Sequence, residues 1–128
     1  MRSGATVLVV DDNHLNLELV TDVLTGAGYS IRQAVSAEQA LAAARREPPD
    51  LILMDIGLPG MDGYAAVRAL KDDPDTRHIL TVALTASAMA GDEARALQSG
   101  FDGYITKPIH TRTLAQTVGR LLHTKEAS

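Results

Sequence analysis

The sequence has no cysteine and no tryptophan, and only one phenylalanine and three tyrosines. Without cysteine it can form neither a disulfide framework nor a thiolate metal site, which fits a reducing compartment. So few aromatics leave little on which to stack bases. With a net charge of −4 and no run of lysine or arginine, the chain also lacks the basic footprint that neutralises phosphates, so a nucleic-acid binder is not expected. No apolar stretch approaches the roughly 20 residues that span a bilayer. The first six residues lead straight into a strand pattern rather than a signal peptide, so a cytoplasmic location is the expectation. What is present is 128 residues with 45% hydrophobic content, about the size of one ordinary domain able to bury a core without staples.

Short apolar runs alternate with amphipathic stretches along the whole chain. Ala5 to Val10 is apolar and β-branched, and Leu19, Val20, Val23, Leu24 and Ala27 then recur at helical spacing until Gly28. Tyr29 to Ala34 reads as a weaker strand. Ser36 with Gln39 three residues on is a capping box opening an alanine-rich helix that Pro48 and Pro49 end. Leu51 to Met54 is a third strand and Tyr64 to Leu70 a third helix. Ile79 to Leu84 is a fourth strand, and a fourth helix from about Met89 to Gln98 is closed by Gly100. Gly103 to Thr106 makes a short fifth strand, and Thr111 to Leu122 carries a last helix before a short polar tail, 123–128. No linker, repeat or low-complexity tract interrupts the series, so residues 1–128 read as a single domain with its core over 5–122.

Continuous apolar strands separated by helices imply a parallel sheet covered on both faces and joined by right-handed crossovers, an α/β doubly wound fold. Ligands of such sheets bind beyond the carboxyl ends of the strands, where strand order reverses. For five βα units in the flavodoxin-like order 2-1-3-4-5, that point lies between the first and third strands. The first strand ends in Asp11 and Asp12, and the third in Asp55. Three carboxylates in one crevice would repel one another, and a divalent cation relieves the conflict. Hard oxygens with no cysteine and no nearby histidine favour Mg²⁺, or Mn²⁺, over zinc. The fourth strand ends in the Thr85 hydroxyl and the fifth in the Lys107 ammonium. Metal, hydroxyl and ammonium together suit a phosphoryl group moving in line onto a carboxylate. The Lys107–Pro108 bond is expected to be cis, because X–Pro bonds adopt cis at modest cost. His14, His78, His110 and His123 show no ligand spacing and read as surface residues.

Taken singly, these residues have ordinary readings. Asp12 or Asn13 could cap a helix, Leu58 to Gly63 is a turn signal, Thr85 suits an N-cap, and Lys107 is a solvated charge. Their conjunction at the carboxyl ends of four strands carries more. Asp11-Asp12, Asp55 followed by Leu58-Pro59-Gly60-Met61-Asp62-Gly63, Thr85-Ala86 and Lys107-Pro108 resemble the receiver domain of two-component response regulators, over residues 5–122. The resemblance implies a CheY-like fold in which Asp55 accepts a phosphoryl group from a histidine kinase or phosphotransfer protein. It implies Mg²⁺ held by Asp11, Asp12, Asp55 and the backbone carbonyl of Gly57. It also implies a switch in which Thr85 moves toward the phosphoryl group and Tyr104 rotates inward. That switch would remodel a face of the fourth helix, fifth strand and fifth helix, with Ala88, Ala90, Arg95, Tyr104 and Gln116 as candidate contacts for a downstream protein. The sequence "DDNHLN" and the lack of an output domain are similar to single-domain regulators of the DivK kind and to receivers of hybrid kinases.

Two positions depart from many relatives: Gly57 and Ser87 are small and leave the path of an attacking water fairly open, which shortens the phosphoryl lifetime unless a partner or the loop shields that path. Gly119 inside the last helix costs roughly 1 kcal/mol relative to alanine, and suggests close packing with a partner. The reading is a signalling switch, monomeric or weakly dimeric, rather than an enzyme. The alternatives are a receiver cut from a larger hybrid kinase, an aspartyl-phosphate phosphohydrolase, whose usual second acid would stand at Gly57, and a structural adaptor.

Overall fold

The structure, a computed structural model, describes residues 5–56, 63–85, 92–106 and 111–127, and the side chains of all of these except 92, 93, 111, 112 and 124–127. Strands and helices alternate in the order β1 (Thr6–Val10), α1 (His14–Gly26), β2 (Ser30–Ala34), α2 (Ala37–Arg46), β3 (Leu51–Asp55), α3 (Gly63–Asp72), β4 (Leu80–Thr85), α4 (Asp92–Ser99), β5 (Gly103–Thr106) and α5 (Thr111–Ala127). The strands form one parallel sheet in the order β2-β1-β3-β4-β5.

The apolar run of β3 has a plain physical cause. It lies between β1 and β4 in the middle of the sheet, with Leu51, Ile52, Leu53 and Met54 fully buried. Successive side chains point to opposite faces. Leu51 and Leu53 join Val7, Val9, Leu17, Val20, Leu24, Leu114 and Val118 on the α1/α5 face. Ile52 and Met54 join Leu8, Val10, Leu41, Val67 and Leu70 on the α2/α3/α4 face. Each such side chain contributes about 1.5–3 kcal/mol relative to exposure.

Local signals act mostly where the sequence puts them. Ser36 Oγ accepts the Gln39 amide at 3.1 Å, while the Gln39 side chain reaches back to the Val35 amide at 3.0 Å rather than to that of Ser36. Arg32 on β2 donates to the carbonyls of Glu47 and Ala43 and so closes the far end of α2. α1 and α4 both end in Schellman turns, with φ of 100° at Gly28 and 118° at Gly100, where a side chain would be strained.

Some boundaries and faces differ from expectation. α1 buries Leu17, Val20 and Leu24, whereas Leu19 is exposed, because it lies a turn beyond Leu15 on a separate stripe. α5 continues to Ala127 through the residues expected as a tail, since nothing between 123 and 127 is a glycine or proline that would stop it. At Gly119 a Cβ would stand 3.3 Å from the Tyr29 hydroxyl. Residues 89–91, expected to open the fourth helix, lie outside the described residues.

Candidate functional site

Val10 of β1 pairs with Met54 of β3, so the residues that follow each, Asp11 and Asp55, emerge side by side at the carboxyl edge of the sheet. The backbone at Asp11 is held by its amide, which donates to the Ala34 carbonyl at 3.1 Å. Its side chain is buried, 1% exposed, and Oδ1 accepts the Asn13 amide at 2.9 Å. Asn13 is in turn the N-cap of α1, its Oδ1 accepting from Leu15 and Asn16 at 2.9 and 3.2 Å. The capping reading therefore belongs to Asn13, while Asp12 is exposed at the rim.

Asp55 ends β3 and is half-buried. The Ile56 amide donates to the Leu84 carbonyl at 3.1 Å, which carries the β3–β4 pairing one residue past Asp55 and fixes the base of that carboxylate. One carboxylate oxygen from each of Asp11, Asp12 and Asp55 lies within 4.8 Å of the others. Like charges this close repel by about 1 kcal/mol per pair in water and by several times that where water is excluded. Around Mg²⁺ adjacent ligands are about 3 Å apart and opposed ones about 4.2 Å, so the three oxygens must draw together by up to about 2 Å to share one ion. The donor set is all oxygen, with Asp11 buried and Asp12 open to solvent, and it fits a hard cation that keeps water ligands.

Thr85 ends β4, 4% exposed, and pairs with Thr106 at the end of β5. Tyr104 pairs with Ala83, two residues before Thr85. Paired residues of parallel strands point the same way and alternate residues share a face, so Thr85 and Tyr104 stand on one face, with the small Ala83 between them. Tyr104 is half-buried against the α2/α3/α4 core. Gly57, Ser87, Ala88, Ala90, Lys107, Pro108 and His110 lie outside the described residues, so the expected carbonyl ligand, ammonium and cis bond are not placed. Gln116 and Arg95 are exposed, as are His14, His78 and His123.

Two features of the site's surroundings are not evident in the sequence pattern. Gly63, which opens α3, sits so close to the residue after Asp55 that a Cβ there would be 2.7 Å from the Ile56 Cα. Arg95 of α4 lies over the ring of Tyr64, 4.2 Å from its centroid. A glycine directly after a turn and an arginine on a polar helix face carry no local sign of these neighbours. Among the described residues, no helix is long and apolar enough to cross a membrane.

Residues 7–119 match the family model of the response regulator receiver domain. Over 113 residues the chain is 44% identical to the polar-differentiation response regulator DivK of Brucella ovis, covering 88% of this chain and 92% of that protein. Among solved structures it is similar to the chemotaxis response regulator CheY4 of Vibrio cholerae, with a TM-score of 0.87 and 29% identity over 92% of this chain and 98% of that one. The receiver domain of a sensor histidine kinase from Pseudomonas aeruginosa, with a magnesium ion coordinated in its active-site cleft, matches with a TM-score of 0.86 and 34% identity, covering 94% of this chain and 98% of that chain. With a sheet order, an acidic edge and a family match over most of its length in agreement, the chain belongs to the response regulator receiver domain family.

Proposed function

We propose that Asp55 is the phosphoacceptor of this receiver domain, and that Asp11, Asp12, Asp55 and the Gly57 carbonyl hold Mg²⁺. The observation that carries the reading is the convergence of three carboxylate oxygens within 4.8 Å at the β1/β3 edge. An Asp55 oxygen attacks phosphorus, the bond from phosphorus to the donor's histidine nitrogen breaks, and the electron pair leaves with the imidazole. The cation supplies charge neutralisation at the phosphoryl oxygens. Lys107 pairs with one of those oxygens, and Thr85 donates its hydroxyl to another. Asp11, tied by the Asn13 amide, keeps the acidic edge in register with the start of α1.

The donor is a histidine kinase or phosphotransfer protein, in the cytoplasm. Leu15, 76% exposed, and Leu19 one turn on begin an apolar stripe three residues after Asp12 and offer such a protein a surface beside the acceptor. The outcome is a change in the face of α4, β5 and α5, where a shallow hollow is lined by Tyr104, Ile105, Thr106, Thr113, Leu114 and Thr117. A downstream protein reads that face if it contacts one Tyr104 position better than the other. The protein is a switch with weak self-dephosphorylation rather than a turnover enzyme, because Gly57 offers no second acid for a hydrolase.

Incubation with Mg²⁺ and acetyl phosphate, followed by intact-mass measurement, is expected to add one phosphoryl group to the wild type and none to Asp55→Asn. Full labelling of Asp55→Asn would reassign the acceptor. Labelling that is indifferent to removal of Mg²⁺ would take the metal out of the reaction.

A further inference from the structure

Among the described side chains, those of helix α4 are the least buried of any helix. Among its described side chains only Ala96 is buried, whereas α1 buries Leu17, Val20 and Leu24, α3 buries Ala66, Val67 and Leu70, and α5 buries Leu114, Val118 and Leu122. An element with so few buried apolar contacts opens at low free-energy cost. Its two halves are held differently. Just past its carboxyl end, Phe101 is 3% exposed and donates its amide to the Ala96 carbonyl. Asp102 accepts from the Thr81 amide at 2.9 Å and from Lys71 Nζ at 3.0 Å, and a Cβ at Gly100 would stand 3.1 Å from the Lys71 Cγ. That end is a pivot. Nearer the amino end, the described tie is Arg95, whose guanidinium lies 4.2 Å from the centroid of Tyr64, while the Tyr64 ring meets Phe101 edge-on at 6.2 Å.

Tyr64 is the second residue of α3, and Gly63 before it lies so near Ile56, the residue after Asp55, that an added Cβ would stand 2.7 Å from the Ile56 Cα. With so little space between them, a displacement of Ile56 toward Gly63 would be passed to the start of α3 and to the base of Tyr64. At 4.2 Å the cation already sits at close contact with the ring, so a tilt in either direction weakens it. We propose that Tyr64 and Arg95 form a latch that holds the amino half of α4 against α3, and that occupancy of Asp55 weakens it through Ile56 and Gly63, a route separate from Thr85 and Tyr104. The proposal rests on Asp55 being the phosphoacceptor. Because coupling is reciprocal, opening the latch by mutation tightens binding of a phosphoryl mimic at Asp55 by up to the factor that occupancy costs the latch.

Arg95→Gln removes the cation, Tyr64→Leu removes the π face while keeping apolar bulk against Phe101, and Arg95→Lys keeps a cation. Amide hydrogen exchange of residues 92–99, measured on the full chain without any phosphoryl mimic, is expected to quicken about two- to five-fold in Arg95→Gln and in Tyr64→Leu. The double variant should be no faster than either single one, and Arg95→Lys should recover most of the protection. The apparent affinity for beryllium fluoride with Mg²⁺ is then expected to rise up to about two- to five-fold in Arg95→Gln. If Arg95→Gln leaves exchange at 92–99 unchanged, or the two single effects simply add, the latch does not exist. If exchange quickens but beryllium fluoride affinity does not change, the contact is only structural and the regulatory proposal is overturned. If the wild type itself neither binds beryllium fluoride nor takes a phosphoryl group, the acceptor assignment has failed and the coupling falls with it. That failure is recognisable because it appears in the wild type rather than in the variants.

Discussion

Alanine at Gly63 and alanine at Gly26 are the same chemical change at two helix-terminal glycines, and they are expected to move stability in opposite directions. At Gly63 the new Cβ would stand 2.7 Å from the Ile56 Cα and 2.9 Å from its Cγ2. The first of these atoms is backbone, so no side-chain rotation relieves the clash, and the Ile56 amide is tied to the Leu84 carbonyl at 3.1 Å. Forcing a methyl group into closed packing costs about 1–3 kcal/mol. The helical preference of alanine returns at most about 1 kcal/mol, and less at the first position of α3. The net expectation is a loss of about 1–2 kcal/mol, or a Tm lower by about 3–8 °C for a chain of this length. At Gly26 nothing lies within 4 Å of the would-be Cβ, and the backbone is not in the left-handed region. There the substitution should stabilise by about 0.5–1 kcal/mol. Urea unfolding followed by circular dichroism, with equal m-values required, gives both numbers. At 25 °C, where both variants remain folded, Gly63→Ala should also take phosphoryl from acetyl phosphate more slowly, since the clash displaces either residue 56 or the start of α3 beside Asp55. Gly26→Ala should label like the wild type. A Gly63→Ala protein as stable as the wild type, or two shifts of the same sign, would refute the close approach that this reasoning depends on.

Mg²⁺ binds the gathered carboxylates but not the unfolded chain, so at about 100 times its Kd it should stabilise the protein by about 2.7 kcal/mol. Asp12→Ala should lose that response while gaining metal-free stability as one repulsive charge goes, and equal Mg²⁺ shifts in both proteins would count against the site. Asp102→Ala leaves the Thr81 amide without its acceptor at 2.9 Å and removes the carboxylate 3.0 Å from Lys71 Nζ, which keeps the Ile79 carbonyl at 2.9 Å. It should cost about 1–2 kcal/mol in denaturant unfolding, and a change of only a few tenths would show that the pair is ornamental to stability. Thr85→Ala should still accept phosphoryl on Asp55, while the amide chemical shifts of residues 92–106 barely respond to beryllium fluoride. A wild-type-like response would exclude Thr85 from the path to Tyr104.

The alternation of strands and helices, the capping of α2 and the carboxylates at strand ends are all legible in the sequence, because each depends on residues within one or two turns of one another. A run such as 51–54 is apolar at every position only if both faces are covered, and that follows from the residues alone. The site required more, since Asp11 and Asp55 meet only because β3 crosses over to pair with β1, a contact 44 residues apart in the chain. Local pattern also cannot tell the two acids of the first strand end apart: Asp11 is 1% exposed and bonded to the Asn13 amide, while Asp12 faces solvent. It cannot choose Leu17 over Leu19 for the core, since that depends on which face of α1 meets β1 and α5. Gly63 against Ile56, Gly119 against the Tyr29 hydroxyl and Arg95 over Tyr64 belong to the same class. Side-chain period and chain punctuation act over a few residues and so declare themselves in sequence. Steric approach and cation–π contact arise only once crossovers have set strand order and helix packing, and there the tertiary structure decided.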